Sequence, residues 1–492
     1  MRGFALDPPA IRRLAAVALA LLLAGCQPAS DPDTSPPVIE LLGDNPLYVL
    51  QGTAFADPGA RAEDDVDGRV EVRVSGGVDT AVLGNYQLVY TARDRAGNEA
   101  SVRRSVNVVL PASAYPPETE FVEVDPQPME RPGYLQSGPG PAFGYRITRV
   151  TDPAEFPDGE YDVQPYPKHP AWSSDEAYIA IHSYKLIKGA ADYSRVRETL
   201  YLDEARWAYS EPGVMYGFRN VYDGGERVAV EFVRLNVNDD AVTPLQRFYL
   251  TGHGGGAPEY DGVYLGPWEG NLSRDDRYVV FSARQGDDLV AMVFDIPGRR
   301  VVASRRFAGI WDRLDWVSIS PRGDYVLMNW SPPEKDDADP DFTGAIDEYD
   351  ASLNFVRRLA EQGQHGDMGL DAYGDEVYVQ LEFGDRVGVW SYRLRDGAEL
   401  RLLPDKYNGG HVSCQNYRRP GWCYLSLRKT GFAEVVAVKL DGSGLVNRFV
   451  QHRNSAGGSA YGSPNPSGTR VIFKSDWQGE YPVAVFVAEP ER

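Results

Sequence analysis

One stretch of the sequence decides the fold: His169-Pro-Ala-Trp-Ser-Ser-Asp-Glu-Ala-Tyr-Ile-Ala-Ile-His-Ser-Tyr184. Two short apolar runs flank a polar turn at Ser174 to Glu176. The residues Tyr178 to Ile181 have strand propensity, and serine and aspartate side chains favour a turn because they bond their own backbone. The stretch therefore predicts a tight antiparallel hairpin.

Variants of this hairpin recur through the second half of the chain. They begin at Arg206, Asn271, Val317, Gly369, Val412 and Gly462. The seven units lie roughly 50 residues apart, which suits the four strands of a propeller blade. The sequence thus predicts an all-β chain in which residues 142–492 form a seven-bladed β-propeller. The strand Tyr145 to Val150 precedes the first hairpin, so we expect it to complete the last blade and close the ring.

The composition agrees with a large, mostly β protein. The chain has 492 residues, 42% of them hydrophobic, with 50 glycines and 36 prolines. This length requires more than one domain, and the glycine and proline content favours short strands joined by turns. The formal net charge of -21 excludes non-specific nucleic-acid binding, because phosphate neutralisation requires a basic surface. A polyanionic partner would need a local positive site.

The N-terminus resembles the signal segment of bacterial lipoproteins. Two arginines precede an apolar run, Leu14 to Ala24, that is too short to span a bilayer, and the run leads into Leu23-Ala-Gly-Cys26. The resemblance implies that residues 1–25 are removed and that Cys26 carries a lipid anchor in the membrane. Gln27, where an aspartate would imply inner-membrane retention, implies an outer-membrane lipoprotein, periplasmic or surface-exposed. The alternative is an ordinary secretory peptide with an incidental cysteine.

The other two of the three cysteines are predicted to pair. Cys414 and Cys423 flank the turn Tyr417 to Gly421, and an exported compartment is oxidising. Closing so short a loop contributes roughly 2 to 3 kcal/mol. The alternative is two buried free thiols, because direct cross-strand geometry is often strained.

Between the signal and the propeller, three further segments are predicted. Residues 26–37 form a tether, because their proline- and aspartate-rich sequence cannot bury enough apolar surface to fold. Residues 38–110 show short strands broken by glycine and aspartate turns, which suits a small β-sandwich. Residues 111–141 are proline-rich again and predict a linker.

Residues 38–110 also resemble the immunoglobulin-like domains of bacterial surface proteins. Five motifs carry the resemblance: Pro37-Val-Ile-Glu-Leu41, Asp57-Pro-Gly-Ala60, Asp65-Val-Asp-Gly68, Gly84-Asn-Tyr86 and Tyr90-Thr-Ala-Arg-Asp-Arg-Ala-Gly-Asn98. It implies a spacer or adhesion module without catalytic residues. We interpret Asp64, Asp65 and Asp67 as a solvated turn; a weak calcium cluster is the alternative, since Ca²⁺ needs six or more oxygen ligands.

The histidines are the main functional clue. If each hairpin turns at the bottom of the ring, its outer ends lie at the top, where His169 and His182 become neighbours. The other four of the six histidines fall at the same end: His253, His365, His411 and His452. Imidazole suits metal ligation and proton transfer. The alternative is a set of surface-loop histidines that share a face by chance.

Two resemblances suggest what these residues do. The Ser-x-x-Gly-x-x-Val-x-Phe turns resemble those of TolB-like and WD-repeat-like propellers. Part of the chain also resembles oligogalacturonate lyase propellers, which hold a metal through histidine and glutamine. Here Gln362, His365 and His411 look like part of that ligand set, and Asp367 stands where a further histidine would be expected. The resemblance implies a divalent Mn²⁺, Zn²⁺ or Ca²⁺; otherwise His365 and His411 hydrogen-bond loop backbones.

A second set of residues is similar in type to the sites of propeller ulvan lyases. β-Elimination from a uronate needs a cation for the carboxylate, a base for the α-proton and an acid for the leaving oxygen. The candidates for these catalytic roles are His169, His182, Arg206, Tyr209, Arg453 and Tyr461. The candidates for stacking on sugar rings, although aromatic residues between blades are more often core, are Trp207, Trp268 and Trp316.

The sequence as a whole predicts a lipid-anchored envelope protein whose propeller top face binds an extracellular glycan. Cleavage of a uronate-containing polysaccharide by β-elimination is the preferred chemistry. The alternative is a non-catalytic propeller that scaffolds contacts with an envelope protein, as the TolB-like resemblance implies. Neither a nucleophile elbow nor a phosphate-binding loop motif occurs in the sequence.

Overall fold

The computed structural model describes residues 33–122, 124, 127–140, 143–152, 166–181, 184–331, 344–363, 365–382, 386–404, 410–427, 433–455, 460–480 and 483–491. The predicted signal peptide, the lipidation site Cys26 and the candidate catalytic residue His182 lie outside them. Regular structure in these ranges consists of β-strands and two short 3-10 helices, Ala112–Ala114 and Trp311–Arg313. The prediction of an all-β chain is therefore confirmed. No helix in the described ranges has the length and apolar character needed to cross a membrane.

The described chain divides into two compact units. The first contains the described part of Met1–Asp44 with Asp57–Gly76 and Leu88–Arg104. The second contains Asn45–Ala56, Gly77–Gln87 and the described part of Ser105–Arg492. The domain boundaries at residues 110 and 141 stay predictions.

Seven strands fill the segment predicted as a β-sandwich. They are β1 (Val38–Leu41), β2 (Leu47–Leu50), β3 (Ala60–Asp64), β4 (Gly68–Val70), β5 (Val72–Ser75), β6 (Gly84–Arg93) and β7 (Glu99–Val109). One sheet has the order β1-β3-β4, and the other has the order β2-β7-β6-β5. Leu88, Tyr90 and Ala92 of β6 are buried and alternate with less buried neighbours, which is typical of a strand with one face on a core.

The remaining strands form seven sheets within the described residues. Three strands precede the first hairpin: β8 (Glu118–Glu120), β9 (Ser137–Gly140) and β10 (Tyr145–Arg149). The first sheet contains β11 (Tyr178–Ile181), β12 (Lys185–Lys188) and β13 (Arg195–Glu198). The second sheet contains β14 (Asp203–Trp207), β15 (Val214–Asp223), β16 (Glu226–Asn236), β17 (Ala241–Leu250) and β18 (Glu259–Tyr260).

The third to fifth sheets have four strands each, taken in chain order. The third contains β19 (Gly262–Tyr264), β20 (Tyr278–Gln285), β21 (Asp288–Asp295) and β22 (Arg300–Phe307). The fourth contains β23 (Leu314–Ile319), β24 (Tyr325–Trp330), β25 (Ala345–Asp350) and β26 (Phe355–Ala360). The fifth contains β27 (Asp367–Leu370), β28 (Glu376–Glu382), β29 (Gly388–Arg393) and β30 (Glu399–Leu403).

The last two sheets combine C-terminal strands with the three that precede the first hairpin. The sixth contains β31 (Gly410–Ser413), β32 (Trp422–Leu427), β33 (Glu434–Lys439), β34 (Leu445–Gln451) and then β8. The seventh contains β35 (Ser463–Pro464), β36 (Val471–Ser475), β37 (Ala484–Pro490) and then β10 and β9. The segment predicted as a linker thus supplies an outer strand to each of these two sheets: β8 to the sixth and β9 to the seventh.

The ring closes as the sequence predicts. β10 pairs antiparallel with β37, from Tyr145 opposite Pro490 to Arg149 opposite Phe486. Trp172 and Ile179 of the first hairpin pack in one apolar cluster with Ile472 of the seventh sheet. The strand β10, which precedes the first hairpin, therefore completes the seventh sheet. The apolar core of the seventh sheet continues into the first sheet.

A repeated turn explains why these hairpins share a sequence pattern. Ser173 Oγ accepts the Tyr178 N–H at 3.0 Å, and the same bond recurs from Tyr278 to Ser273 at 2.8 Å and from Tyr325 to Ser320 at 3.0 Å. Three residues after each serine the backbone is left-handed, at Glu176 (φ 59°), Asp276 (φ 55°) and Gly323 (φ 83°). Glycine is favoured there because it has no Cβ to clash, which gives the Ser-x-x-Gly form of the repeat.

The predicted disulfide is present in the sixth sheet. Cys414 and Cys423 are bonded, with their Cα atoms 4.5 Å apart. Both residues are buried. The bond spans the short hairpin between β31 and β32, as the spacing of the two cysteines predicts.

Candidate functional site

The strand directions bring histidines to one end of the sheets, here called the top face, where the first strand of each sheet begins. Neighbouring antiparallel strands run in opposite directions. The first strand of a sheet therefore begins at the end where its second and fourth strands finish. His365 lies just before β27 and His411 lies in β31. His253 follows β17 and His452 follows β34, the returning fourth strands of their sheets.

Four aromatic side chains meet at this face, and we call them the aromatic cluster: Tyr166, His365, His411 and Tyr461. The Tyr166 hydroxyl lies 2.9 Å from His365 Nδ1, within hydrogen-bond distance. The His411 ring centroid lies 4.5 Å from that of His365 and 4.6 Å from that of Tyr461. The Tyr166 ring is 5.3 Å from His411 and 5.6 Å from Tyr461. The first, fifth, sixth and seventh sheets each position one member.

Burial sets the protonation state of Tyr166. Desolvation, together with the negative charge of Glu269 and the neighbouring Tyr461, raises the pKa of the Tyr166 phenol far above its usual range. The phenol therefore keeps its proton near neutral pH and is available as a donor.

Charges of both signs surround the aromatic cluster. Lys168 is buried; its Nζ lies 2.9 Å from Glu269 Oε2 and 3.5 Å from the centroid of the Trp316 ring. Lys474 Nζ lies 3.7 Å from the centroid of the Tyr461 ring. Burial raises the pKa of Asp315, and Glu269 raises it further, while Lys168 opposes both. Two lysines and two carboxylates thus flank four aromatic side chains.

A cavity of about 310 Å³ opens beside the cluster. Its lining includes Tyr166, His169, Arg206, Trp268 and Tyr461. Burial, with the charges of Arg206 and Lys168, lowers the pKa of His169 well below its usual value, although a hydrogen bond to the Trp268 backbone opposes the shift. Within the described residues, His169 Nε2 is buried and has no hydrogen-bond partner. His169 is therefore a neutral imidazole in the wall of the cavity.

Arg206 builds this wall rather than facing the cluster. Its Nε donates to the Gly270 carbonyl at 2.8 Å and its Nη2 to the Trp268 carbonyl at 2.7 Å, while Nη1 bonds the Ala205 carbonyl at 3.0 Å. Burial lowers the pKa of Arg206 to about 10, against the opposing charge of Glu204. Glu204 accepts the Trp268 N–H at 2.5 Å. Arg206 and Glu204 together fix the loop that carries Trp268.

Tyr209 and Arg453, two other candidates for catalytic roles, also bind protein groups elsewhere. Tyr209 is buried beyond the end of β14, and its hydroxyl donates to Gln415 Oε1 at 2.9 Å. The Arg453 guanidinium donates to the Gln127 carbonyl and lies 5.5 Å from the centroid of the Trp477 ring. The structure therefore brings Tyr461 into the cluster and His169 beside it, but not these two residues.

Two of the three tryptophans proposed to bind sugar are core residues. Trp207 and Trp316 are each 1% exposed. Trp207 Nε1 donates to the Ala171 carbonyl at 3.1 Å, between the first two sheets. Trp268 is 56% exposed at the rim of the cavity, so its ring is the one of the three that a sugar can reach.

Of the candidate metal ligands, His365 and His411 lie together in the aromatic cluster, whereas Asp367 is bound by other protein groups. Asp367 is buried and accepts the Cys414 N–H at 2.7 Å and Gln415 Nε2 at 3.0 Å; burial raises its pKa to about 6. The carbonyl oxygen of Gln362 accepts from Gln380 at 3.1 Å. Across the described ranges, the groups of three or more acidic, histidine or cysteine ligands include neither Asp367 nor the histidines. His365, His411 and Asp367 therefore do not form a three-ligand group in the described residues, and we derive no step through a metal.

Sequence reasoning missed Tyr166, Lys168 and Lys474. Tyr166 and Lys168 lie only three residues and one residue before His169, and the same loop carries all three to the top face. Lys474 lies in β36 and reaches the cluster across the sheet. The position of Tyr166 and Lys168 beside His169 in the sequence could have indicated both residues. No sequence feature indicated Lys474.

Comparison with known proteins agrees with this architecture. Residues 39–108 match the family model of the bacterial surface protein Ig-like domain. No curated protein matches the sequence. The chain is thus an all-β protein in which an immunoglobulin-like domain of the bacterial surface type precedes a β-propeller.

Solved structures similar to this chain include a lyase, a β-propeller domain and a TolB protein. Oligogalacturonate lyase from Vibrio parahaemolyticus is 11% identical over 72% of this chain and 96% of that chain, with a TM-score of 0.46. The β-propeller domain of the Trilobed protease from Pyrococcus furiosus is 9% identical over 62% and 84%, with a TM-score of 0.38. TolB from Acinetobacter baumannii is 13% identical over 57% and 80%, with a TM-score of 0.29. Identities this low transfer no activity.

Proposed function

We propose that this protein is a lipid-anchored envelope protein whose propeller binds an acidic extracellular glycan at the aromatic cluster and cleaves uronate-containing chains by β-elimination. The observation that carries the proposal is the Tyr166–His365 hydrogen bond of 2.9 Å, with the His411 ring 4.5 Å from that of His365 and a cavity of about 310 Å³ alongside. Convergent phenol and imidazole groups are what an acid–base elimination requires.

The elimination can be written with these residues. An imidazole of His365 or His411 takes the proton on the carbon next to the uronate carboxylate. The electron pair forms the carbon–carbon double bond, and the bond to the glycosidic oxygen breaks. Tyr166 donates its phenolic proton to the leaving oxygen. When His365 is the base, its hydrogen bond to Tyr166 returns the proton to the phenolate. When His411 is the base, solvent takes the proton from the imidazolium and reprotonates the phenolate. Positioned acid–base groups contribute about 10²- to 10⁴-fold.

Lys474, which is partly exposed, supplies the local positive charge that an acidic glycan needs on a chain of net charge -21, whereas the charge of the buried Lys168 is balanced by Glu269. Lys474 lies against the Tyr461 ring and Lys168 against the Trp316 ring. A cation beside the carboxylate stabilises the negative charge that develops when the α-proton leaves. The exposed Trp268 can stack on a sugar ring at the cavity rim.

The location is part of the same proposal. The lipoprotein-like signal supports an anchor at Cys26 in the outer membrane. The immunoglobulin-like domain supports a spacer between that anchor and the propeller. A propeller anchored in this way meets glycans in the periplasm or outside the cell.

A second candidate function is a non-catalytic scaffold for envelope proteins. The observation that favours it is the bonding of Arg206 and Arg453, whose guanidinium groups donate to backbone carbonyls. Cationic side chains used in this way hold loops and need no substrate.

The experiment that separates the two functions measures unsaturated uronate by ultraviolet absorbance. The full chain in detergent is incubated with a panel of acidic polysaccharides, with and without a chelator. We expect a signal on at least one uronate polymer, lost in His411→Gln and kept in His253→Gln, a top-face histidine outside the cluster. No signal on any uronate polymer supports the scaffold. A signal that the chelator removes would show that a metal takes part.

A further inference from the structure

Three carboxylates meet at one end of the immunoglobulin-like domain: Asp33, Asp64 and Asp65. One oxygen of each lies within 4.8 Å of one oxygen of each of the others. Asp33 belongs to the predicted tether, while Asp64 and Asp65 lie where β3 turns towards β4. Asp67, which the sequence suggested as the third member, instead accepts the Arg95 N–H at 2.7 Å. The third member of the group is Asp33, which lies 31 positions before Asp64.

Asp64 has one carboxylate oxygen that no protein donor satisfies. Its side chain is 8% exposed. Oδ1 accepts the N–H groups of Val66 at 3.0 Å and Asp67 at 2.8 Å. Oδ2 is buried and has no hydrogen-bond partner within the described residues. Burying a charged oxygen without a partner is unfavourable unless a cation or another donor compensates.

Asp33 is held at this place by a turn on the opposite hairpin. Asn98 Nδ2 donates to the Asp33 carbonyl oxygen at 3.1 Å. Asp94 fixes Asn98 by accepting its N–H at 2.7 Å and its Nδ2 at 2.8 Å. The β6–β7 turn therefore draws the incoming chain against the β3–β4 turn, and the Asp33 carboxylate comes to lie beside Asp64.

We propose that Asp33, Asp64 and Asp65 bind a calcium ion. Three like charges at this separation repel one another, and a divalent cation between them turns repulsion into attraction. Ca²⁺ takes six to eight oxygen ligands in flexible geometry, so three carboxylates and water molecules can hold it. Zn²⁺ prefers nitrogen and sulfur ligands, and Mg²⁺ demands a stricter octahedron and gives up its water reluctantly.

The ion has a mechanical role that does not depend on the glycan proposal. It joins the end of the predicted tether (26–37) to the β3–β4 turn. With calcium bound, the chain leaves the immunoglobulin-like domain in a fixed direction. Without it, the connection rests on the hydrogen bond from Asn98 to Asp33.

The test is calorimetric titration of the metal-stripped full chain in detergent with CaCl₂ and, separately, with MgCl₂. We expect a calcium site that Asp64→Asn weakens by at least tenfold and that Asp33→Asn and Asp65→Asn each weaken severalfold. Glu40→Gln is the matched control, because Glu40 is an acidic residue of the same domain that pairs with Arg61; it should bind calcium as the unaltered chain does.

A second readout follows the tether itself. Calcium should slow proteolysis between residues 26 and 37 in the unaltered chain and in Glu40→Gln, but not in Asp33→Asn. Asp33 lies outside every strand, so its variant keeps the test valid if Asp64→Asn fails to fold. No calcium heat, equal affinity for Mg²⁺, or normal calcium binding in Asp33→Asn and Asp65→Asn would overturn the proposal.

Discussion

Two regions of the propeller's top face contain the same kinds of side chain and use them differently. In the aromatic cluster the polar atoms face other side chains, as in the 2.9 Å contact between Tyr166 and His365. In the second sheet the guanidinium of Arg206 donates to the carbonyls of Gly270 and Trp268. Side chains that donate to backbone carbonyls hold the cavity wall in place. Side chains that face one another at an opening can instead act on a ligand. Residue type alone does not separate these two uses.

The largest effect should come from the cluster. Tyr166→Phe removes the hydroxyl that bonds His365 and that we propose as the acid. We expect the β-elimination rate to fall by about 100-fold or more, while the free energy of unfolding falls by only about 1 kcal/mol. Steady-state kinetics and urea unfolding measure the two quantities. Tyr201→Phe, which alters an exposed tyrosine in the cavity lining, is the control, and an equal rate loss in both variants would contradict the assignment.

A large effect on stability is expected from Arg206. Arg206→Ala leaves the carbonyls of Gly270 and Trp268 without their guanidinium donors, so the free energy of unfolding should fall by roughly 3 kcal/mol. Arg300→Ala, at an exposed position of β22, should change it by less than about 0.5 kcal/mol. Urea unfolding measures both. If Arg206→Ala unfolds like the unaltered chain but loses activity, the guanidinium belongs with the cluster and the contrast fails.

Much of the fold was predictable because its signals are local. In three of the turns a serine hydroxyl accepts the backbone N–H five residues later, as Ser173 does from Tyr178, and such a contact needs only a short sequence. The closing strand β10 and the pair Cys414–Cys423 followed from position along the repeats. These features lie within a few residues of the pattern that reveals them, or at a fixed place in a repeated unit.

The site was harder to predict because its contacts are long-range. The sequence placed Arg206 at the top face but could not show that its donors meet the loop around Trp268, 62 residues later. Tyr166 and His365 are 199 residues apart. Asp33 approaches Asp64 because Asn98 binds its carbonyl oxygen. Which way a polar side chain turns depends on such partners, and periodicity does not record them.

A pH-dependent effect on stability is expected from His452, whose ring bonds a backbone carbonyl as Arg206 does. His452 Nε2 donates to the Leu427 carbonyl at 2.8 Å, and burial lowers the pKa of His452 to about 4. The unfolded chain, with a pKa of about 6.5, binds the proton more tightly, so this stability is complete above about pH 6.5 and is lost as the pH falls towards 4. The loss should be roughly 2 to 3 kcal/mol by urea unfolding.

The control for this pH effect is another top-face histidine. His452→Gln keeps a donor for the Leu427 carbonyl but cannot titrate, so its stability should fall less between pH 7 and pH 4 than that of the unaltered chain. His253→Gln should keep the full dependence. If the two variants respond alike, His452 is not the group that titrates.

The smallest effect should come from Trp268, where the two regions meet. Its ring is exposed at the cavity rim, but its N–H is bound by Glu204 and its carbonyl by Arg206, so the ring can be removed without releasing the loop. A ring that stacks on sugar contributes about 1 kcal/mol. Trp268→Ala should therefore raise KM for the polysaccharide about fivefold and leave kcat unchanged, because the lost contact is the same in the ground state and the transition state. Tyr222→Ala, an exposed aromatic change at the end of β15, should alter neither constant. A fall in kcat for Trp268→Ala would mean that the wall and the cluster are coupled, since the loop held by Arg206 would then position the reacting groups as well as the sugar.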